Sequence, residues 1–91
     1  MLLSVFKVKG HSMEPFIKEG SLLITSSIPF YIIKPREKDI ILFKSQGKTI
    51  VKRIVGKEKN TYFVEGDNKS DSKKFGAVSR SDILGRVVLK I

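Results

Sequence analysis

Apolar and polar residues alternate along much of this chain with a period of two. Leu3, Val5 and the stem of Lys7 fall on one side of an extended segment, with Ser4, Phe6 and Val8 on the other. Residues 21–25, 39–44, 49–55 and 61–65 read as further strands. Ser45-Gln46-Gly47-Lys48 folds two of them into a hairpin, and Glu58-Lys59-Asn60 turns the chain again. Residues 86–91 give a final strand, with Ser81-Asp82 as a cap for a single turn before it. Three segments break the pattern. Glu14-Pro15-Phe16-Ile17-Lys18 forms one helical turn closed by Gly20. Residues 26–38, with Pro29 and Pro35, read as a loop, and a polar loop runs from Gly66 to about Gly76.

Composition points the same way. Valine and isoleucine number 19 against a single alanine, Ala77, a balance that favours pleated sheet over helix. Ninety-one residues hold one core, so residues 1–91 are expected to form a single domain. The expected fold is mainly β, with little helix: short antiparallel strands in coiled sheets that form a partly closed barrel.

Charge narrows the partners. The chain carries 18 basic and 9 acidic residues, a net charge of +9. Such a surface either keeps the protein soluble or attracts anionic partners. No stretch approaches the roughly 20 apolar residues of a membrane span. The apolar-rich residues 28–33 include Pro29, and Lys7 and Lys9 follow the apolar start of the chain rather than precede it as in a secretory signal. The sequence thus reads as a cytoplasmic chain with no transmembrane segment or signal peptide, and an anchored parent trimmed to this length reads the same. The apolar loop beside basic residues also fits peripheral contact with an anionic membrane.

The absence of cysteine excludes a disulfide scaffold, a thiolate metal site and a cysteine nucleophile. A lone histidine, His11, gives no basis for a Ser-His-Asp triad or a histidine metal cluster. Two other positions offer chemistry. Ser12 follows Gly10-His11 and precedes Met13-Glu14-Pro15; the glycine lets the backbone expose the serine, and the proline stiffens the exit. Taken alone, a serine beside glycine is an ordinary turn residue. Lys52 shares a strand face with Ile50 and Ile54, while Val51, Arg53 and Val55 take the other. Apolar surroundings disfavour an ammonium and favour a neutral amine that serves as a base. The alternative is a lysine whose head snorkels to water over its apolar stem.

In order along the chain, these segments resemble the boxes of bacterial type I signal peptidases. Gly10-His11-Ser12-Met13-Glu14-Pro15 is similar to the nucleophile box, and Pro35 to Phe43 to the next box, where a glycine-aspartate leads a strand ending in phenylalanine. Val51-Lys52-Arg53-Ile54-Val55-Gly56 is similar to the lysine box. Gly66-Asp67-Asn68 with Asp71-Ser72-Lys73 resembles the last box, and Ile83-Leu84-Gly85-Arg86-Val87 the closing strand. The match covers about residues 5–91. It implies a serine endopeptidase with a Ser-Lys dyad, Ser12 as nucleophile and Lys52 as general base, that cleaves a leader or precursor peptide after small residues. It also implies coiled β-sheets, no metal and no cofactor, and an oxyanion held by the backbone N–H groups of Ser12 and Met13. Gly10 stands where some members place a serine that adds a donor.

The departures are specific. Gly20-Ser21 and Lys38-Asp39 replace two glycine-aspartate pairs, and Lys73 replaces an arginine. The loop after Asn68 is short, so Lys69 falls where a serine usually orients the lysine, and Ser70 is the nearest substitute. Asp71 is assigned a structural role, pairing with Arg53 or Lys73; Asp67 and Asn68 are assigned to shaping a turn, and His11 to an exposed turn position. The inserted second domain of the larger signal peptidases is absent, which leaves a minimal catalytic core.

Two competing readings remain at this point. A repressor-type autoprotease core shares the dyad and fold, but such proteins carry a DNA-binding domain and a cleavage loop before the serine, and only eleven residues precede Ser12. A non-enzymatic basic binding module fits the charge. Nucleic acid is not expected as its partner, because Phe6, Phe43 and Phe63 lie in strand patterns rather than on a stacking surface.

Overall fold

The computed structural model describes residues 3–27, 34–69 and 76–91. The expectations placed on residues 28–33, Ser70, Asp71 and Lys73 fall outside them. Seven strands follow in order: β1 (Leu3–Lys7), β2 (Leu22–Ser26), β3 (Ile40–Ser45), β4 (Lys48–Glu58), β5 (Thr61–Glu65), β6 (Gly76–Ser79) and β7 (Ile83–Lys90). They form one antiparallel sheet in the order β1-β2-β7-β3-β4-β5-β6. The mainly β expectation is met. The strands make one continuous sheet, and it is open, with β1 and β6 at its edges. The last strand lies between β2 and β3, so the two ends of the chain are stitched together at the centre.

That central position explains the composition of β3. Ile40-Ile41-Leu42-Phe43 has no polar alternation, and all four residues are buried. A strand covered on both faces needs no polar side. Ile40 and Leu42 enter one apolar cluster with Val8, Met13, Ile17, Leu23 and Val51. Ile41 and Phe43 enter a second with Ile54, Tyr62, Val64, Val78 and Ile83. Each such side chain contributes about 1.5–3 kcal/mol when fully buried. Both faces of β4 enter the core: Val51, on the face opposite Ile50 and Ile54, is also buried, because a turn outside the sheet covers that face too.

The β3–β4 hairpin closes through two residues. Ser45 pairs with Lys48, and Gln46 and Gly47 take φ values of 50° and 76°. Two left-handed residues give a turn whose twist matches that of the strands. Beyond Ile54 the β4–β5 register slips, and Val55 stands out to solvent. Such a bulge bends its strand. On the other side of β4, Lys38 N–H donates to the Ile54 carbonyl and Ile54 N–H to that of Asp39, both at 2.8 Å.

Two elements differ from the sequence reading. β6 forms where only a loop and its exit were expected, and the single 3-10 turn at Arg80–Asp82 is capped by Ser79, whose side chain accepts from Ser81 N–H, so Ser81 and Asp82 lie inside the turn. β7 begins at Ile83, three residues before the expected start at Arg86. No helix among the described residues is long and apolar enough to cross a membrane.

Candidate active site

After β1 the backbone leaves the sheet and returns through a narrow neck. Val8 N–H donates to the Ser21 carbonyl and Gly20 N–H to the Val8 carbonyl, both at 2.9 Å. Gly10 and Gly20 mark the two corners, at φ 86° and 88°, in a region that favours glycine. Between them lies the expected helical turn, closed by Ile17 N–H on the Met13 carbonyl at 2.9 Å. Met13 and Ile17, four residues apart, share one face of that turn and sink into the first apolar cluster, each 1% exposed. Burying this face fixes the turn on the sheet and leaves Ser12 half-buried beside it.

Polar side chains hold the rest of this segment. Glu19 Oε2 accepts from Gly10 N–H at 2.9 Å. The His11 ring lies between two carboxylates, with Nδ1 2.8 Å from Glu14 Oε2 and Nε2 3.4 Å from Glu19 Oε1. The hydrogen bond from His11 holds the Glu14 carboxyl below its ordinary value. Asn68 binds the turn twice: its N–H donates to the Ser12 carbonyl at 2.8 Å and its Nδ2 to the His11 carbonyl at 3.0 Å. The N–H groups of Ser12 and Met13 and the Ser12 hydroxyl make no hydrogen bond to other described residues, whereas the flanking N–H groups of Gly10 and Glu14 do.

Lys52 sits on β4 opposite Ile41, between Ile50 and Ile54, and is 7% exposed. A lysine buried to this extent is rare and calls for an explanation. Its neighbour Arg53 occupies the other face and is fully committed in three directions. Nε and Nη2 donate to the two oxygens of Asp67, each at 2.8 Å, and Nη1 donates to the Lys38 carbonyl at 2.8 Å. Its guanidinium carbon stands 5.0 Å from the centre of the Phe16 ring. The paired carboxylate raises the arginine further above its already high value.

The result is a continuous frame. Ser12 is one hydrogen bond from Asn68, Asn68 is next to Asp67, Asp67 grips Arg53, and Arg53 is next to Lys52. Of the residues singled out in the sequence, Ser12 and Arg53 are tied into this frame by hydrogen bonds, Gly10 and Met13 belong to the turn that carries Ser12, and Lys52 is next to Arg53 in β4 with its side chain on the other face. The carboxylate on Arg53 is Asp67: Arg53 pairs with Glu65 in the β4–β5 ladder, and Asp67, two residues on, comes level with β4. Sequence reasoning missed this pairing, and also the roles of Glu14, Glu19 and Asn68 as ties. The spacing of His11 and Glu14, three apart in a helical turn, was the available signal for one of them.

The family described as Peptidase S24-like matches residues 3–88. A curated relative, mitochondrial inner membrane protease subunit 1 of Xenopus tropicalis, is 29% identical over 108 aligned positions, covering 90% of this chain. The chain spans 65% of that relative's length.

Proposed function

Because this chain belongs to the Peptidase S24-like family, we propose that it is a signal-peptidase-type serine endopeptidase with Ser12 as nucleophile and Lys52 as general base. One observation carries this reading. The Asn68–Asp67–Arg53 frame couples the serine turn to the β4 position where a lysine is buried among isoleucines.

The chemistry runs as follows. The neutral Lys52 amine takes the Ser12 hydroxyl proton as Oγ attacks the scissile carbonyl carbon. Negative charge moves to the carbonyl oxygen, where the Ser12 and Met13 N–H groups receive it. The carbon–nitrogen bond then breaks, and the Lys52 proton passes to the leaving amine. Water, deprotonated by the same amine, attacks the Ser12 ester; the bond to Oγ breaks, the acid product leaves, and the Lys52 proton returns to Ser12 Oγ. The Ser12–Lys52 hydrogen bond forms as substrate enters, since catalytic bonds tighten in the substrate complex. Burial between Ile50 and Ile54 is the means by which the protein keeps an amine available as a base, because it disfavours the ammonium. Arg53 adds little repulsion, as it lies on the opposite face and is neutralised by Asp67.

The substrate is a protein or peptide with small residues, alanine above all, before the cleaved bond. The name of the Xenopus relative places it at a membrane, and the +9 charge of this chain suits peripheral contact with an anionic one. The test is turnover of peptides with alanine before the scissile bond, with labelling by a serine-reactive probe. Wild type cleaves and is labelled; Ser12→Ala does neither and keeps its fold. Lys52→Arg is inactive because guanidinium stays protonated. A Ser12→Ala protein that still cleaves overturns the proposal.

A further inference from the structure

One exposed aromatic residue is held more firmly than its position requires. Phe16 is 46% exposed, four residues beyond Ser12, and ends the single helical turn that begins at Met13. One helical turn has no stability of its own, and its last carbonyls lack helical partners. Lys90 supplies one: its Nζ donates to the Phe16 carbonyl at 2.6 Å. The same ammonium stands 4.1 Å from the centre of the Phe16 ring, and the Arg53 guanidinium approaches that ring at 5.0 Å. Two cations on one aromatic ring is an arrangement that charge repulsion alone opposes. Here the Asp67 carboxylate neutralises one of them, and the ring quadrupole attracts both.

The anchor points at either end are stiff. Lys90 pairs with Leu23 at the end of β7, and Ile91 N–H donates to the Leu22 carbonyl at 2.8 Å. Arg53 lies in β4, joined by one peptide bond to Lys52. Phe16 therefore links the exit of the serine turn to two strands at once, and one link lands beside the lysine. The Asn68–Asp67 route meets the same arginine from the entry side of the turn. With both routes in place, the turn cannot shift relative to Lys52 without breaking contacts at one end.

We infer that Lys90, acting through Phe16, is a positioning residue that sets the distance of the Ser12 turn from the Lys52 strand. This inference rests on the Ser-Lys reading for its catalytic consequence. Misplacement of a reacting group by about 1 Å is enough to cost orders of magnitude in rate.

The experiment uses the full chain with Lys90→Met, Lys90→Arg and Phe16→Leu. Two quantities are read: hydrogen exchange of the Ile17 amide, which closes the turn, and kcat and KM on a peptide the wild type cleaves. In Lys90→Met the Ile17 amide is expected to exchange about tenfold faster, with kcat lower by about tenfold and KM within about twofold, the signature of lost transition-state placement. Phe16→Leu is expected to move in the same direction. Lys90→Arg, which keeps a cation and a donor, is expected to restore most of both. Unchanged Ile17 exchange in Lys90→Met overturns the inference. Faster exchange with unchanged kcat overturns its catalytic part and leaves a purely structural tie. If Ser12→Ala still cleaves, the dyad reading fails instead, and the exchange measurement continues to decide whether Lys90 holds the turn.

Discussion

Among the described residues, the buried apolar cluster on one face of the sheet is drawn from strands alone: Ile41 and Phe43 from β3, Ile54 from β4, Tyr62 and Val64 from β5, Val78 from β6 and Ile83 from β7. On the other face, Val8, Met13 and Ile17 come from outside any strand. The first face is held by ladder hydrogen bonds that the backbone supplies to itself. The segment over the second leaves the ladder, so side chains must satisfy and fix it. Glu19 takes the Gly10 N–H, Asn68 binds two carbonyls and Lys90 a third. The candidate nucleophile sits where regular structure ends, and the polar ties concentrate in the same place, whereas Lys52 lies inside β4 on the first face, opposite Ile41. A backbone free of the ladder can present uncommitted N–H groups, as at Ser12 and Met13, which a strand interior cannot.

The comparison is broken most severely by truncating one residue under each face. Phe43→Ala is expected to cost about 3–5 kcal/mol and Met13→Ala about 2–5 kcal/mol, since both are fully buried. Denaturant titration gives the two losses. Turnover per folded molecule separates the faces: it should fall further for Met13→Ala, which loosens the serine turn, than for Phe43→Ala, which thins the apolar face around Lys52 from within the sheet. Equal turnover losses would show that the strand face matters to the site as much as the turn does.

A smaller effect is expected from the frame that joins the two regions. Asp67→Asn keeps the shape and removes the charge that Arg53 grips through two bonds. Both side chains are about a quarter exposed, so solvent weakens the pair below a fully buried one. A loss of about 1–2 kcal/mol is expected, toward and below the low end of the roughly 1.5–3 kcal/mol of hydrogen bonds to charged groups. Turnover should fall as well. A variant that loses stability but keeps full turnover would mean that Lys52 and the Ser12 turn hold their places without the frame.

These outcomes also mark where the sequence was readable. The run Ile40 to Phe43 already carried the signature of a strand buried on both faces, and the Gln46-Gly47 turn that of a tight hairpin. The buried setting of Lys52 followed from Ile50 and Ile54 two positions away on each side. β6 was not readable because Gly76-Ala77-Val78-Ser79 has one buried apolar residue and forms by pairing with β5, a contact that local pattern does not encode. The Arg53–Asp67 pair was missed for a related reason. Three carboxylates, Glu65, Asp67 and Asp71, lie within reach of β4 in sequence terms, and only the register selects one.

A gain in stability is expected at the turn before β3. Lys38 takes φ 77°, in the left-handed region that favours glycine, and it stands where the resembling family carries glycine. The turn thus keeps a glycine conformation with a lysine in it, because its N–H and carbonyl are both committed, to Ile54 and to Arg53. Such a residue costs about 1–3 kcal/mol, and glycine gives back part of that through the greater freedom of its unfolded chain. Lys38→Gly is therefore expected to stabilise by about 1 kcal/mol, read as a higher Tm. A lower Tm would mean that the lysine side chain contributes contacts that outweigh the backbone strain.

The smallest expected effect is confined to acid and to the serine turn. The hydrogen bond from His11 lowers the Glu14 carboxyl below the ordinary glutamate value, followed by weaker contributions from Glu19 N–H and from the charges of His11 and Lys18. A carboxyl lowered on folding is more willing to be ionised in the folded protein than in the unfolded one. Its contribution is therefore complete above the unfolded value, about 4.3, and is lost as pH falls through the lower folded value. Glu14 is partly exposed and its partner His11 more so, so solvent screens the pair and the contribution is small and sensitive to salt. Thermal unfolding of wild type and Glu14→Gln at pH 7, 4 and 2.5 measures it. The wild type is expected to be the more stable at pH 7, and the gap should narrow as pH falls and Glu14 takes up its proton, since the neutral carboxyl resembles the glutamine that replaces it. A gap that stays constant across this range would show that the His11–Glu14 bond does not depend on the carboxylate charge, and that the serine turn is held in acid as firmly as at neutrality.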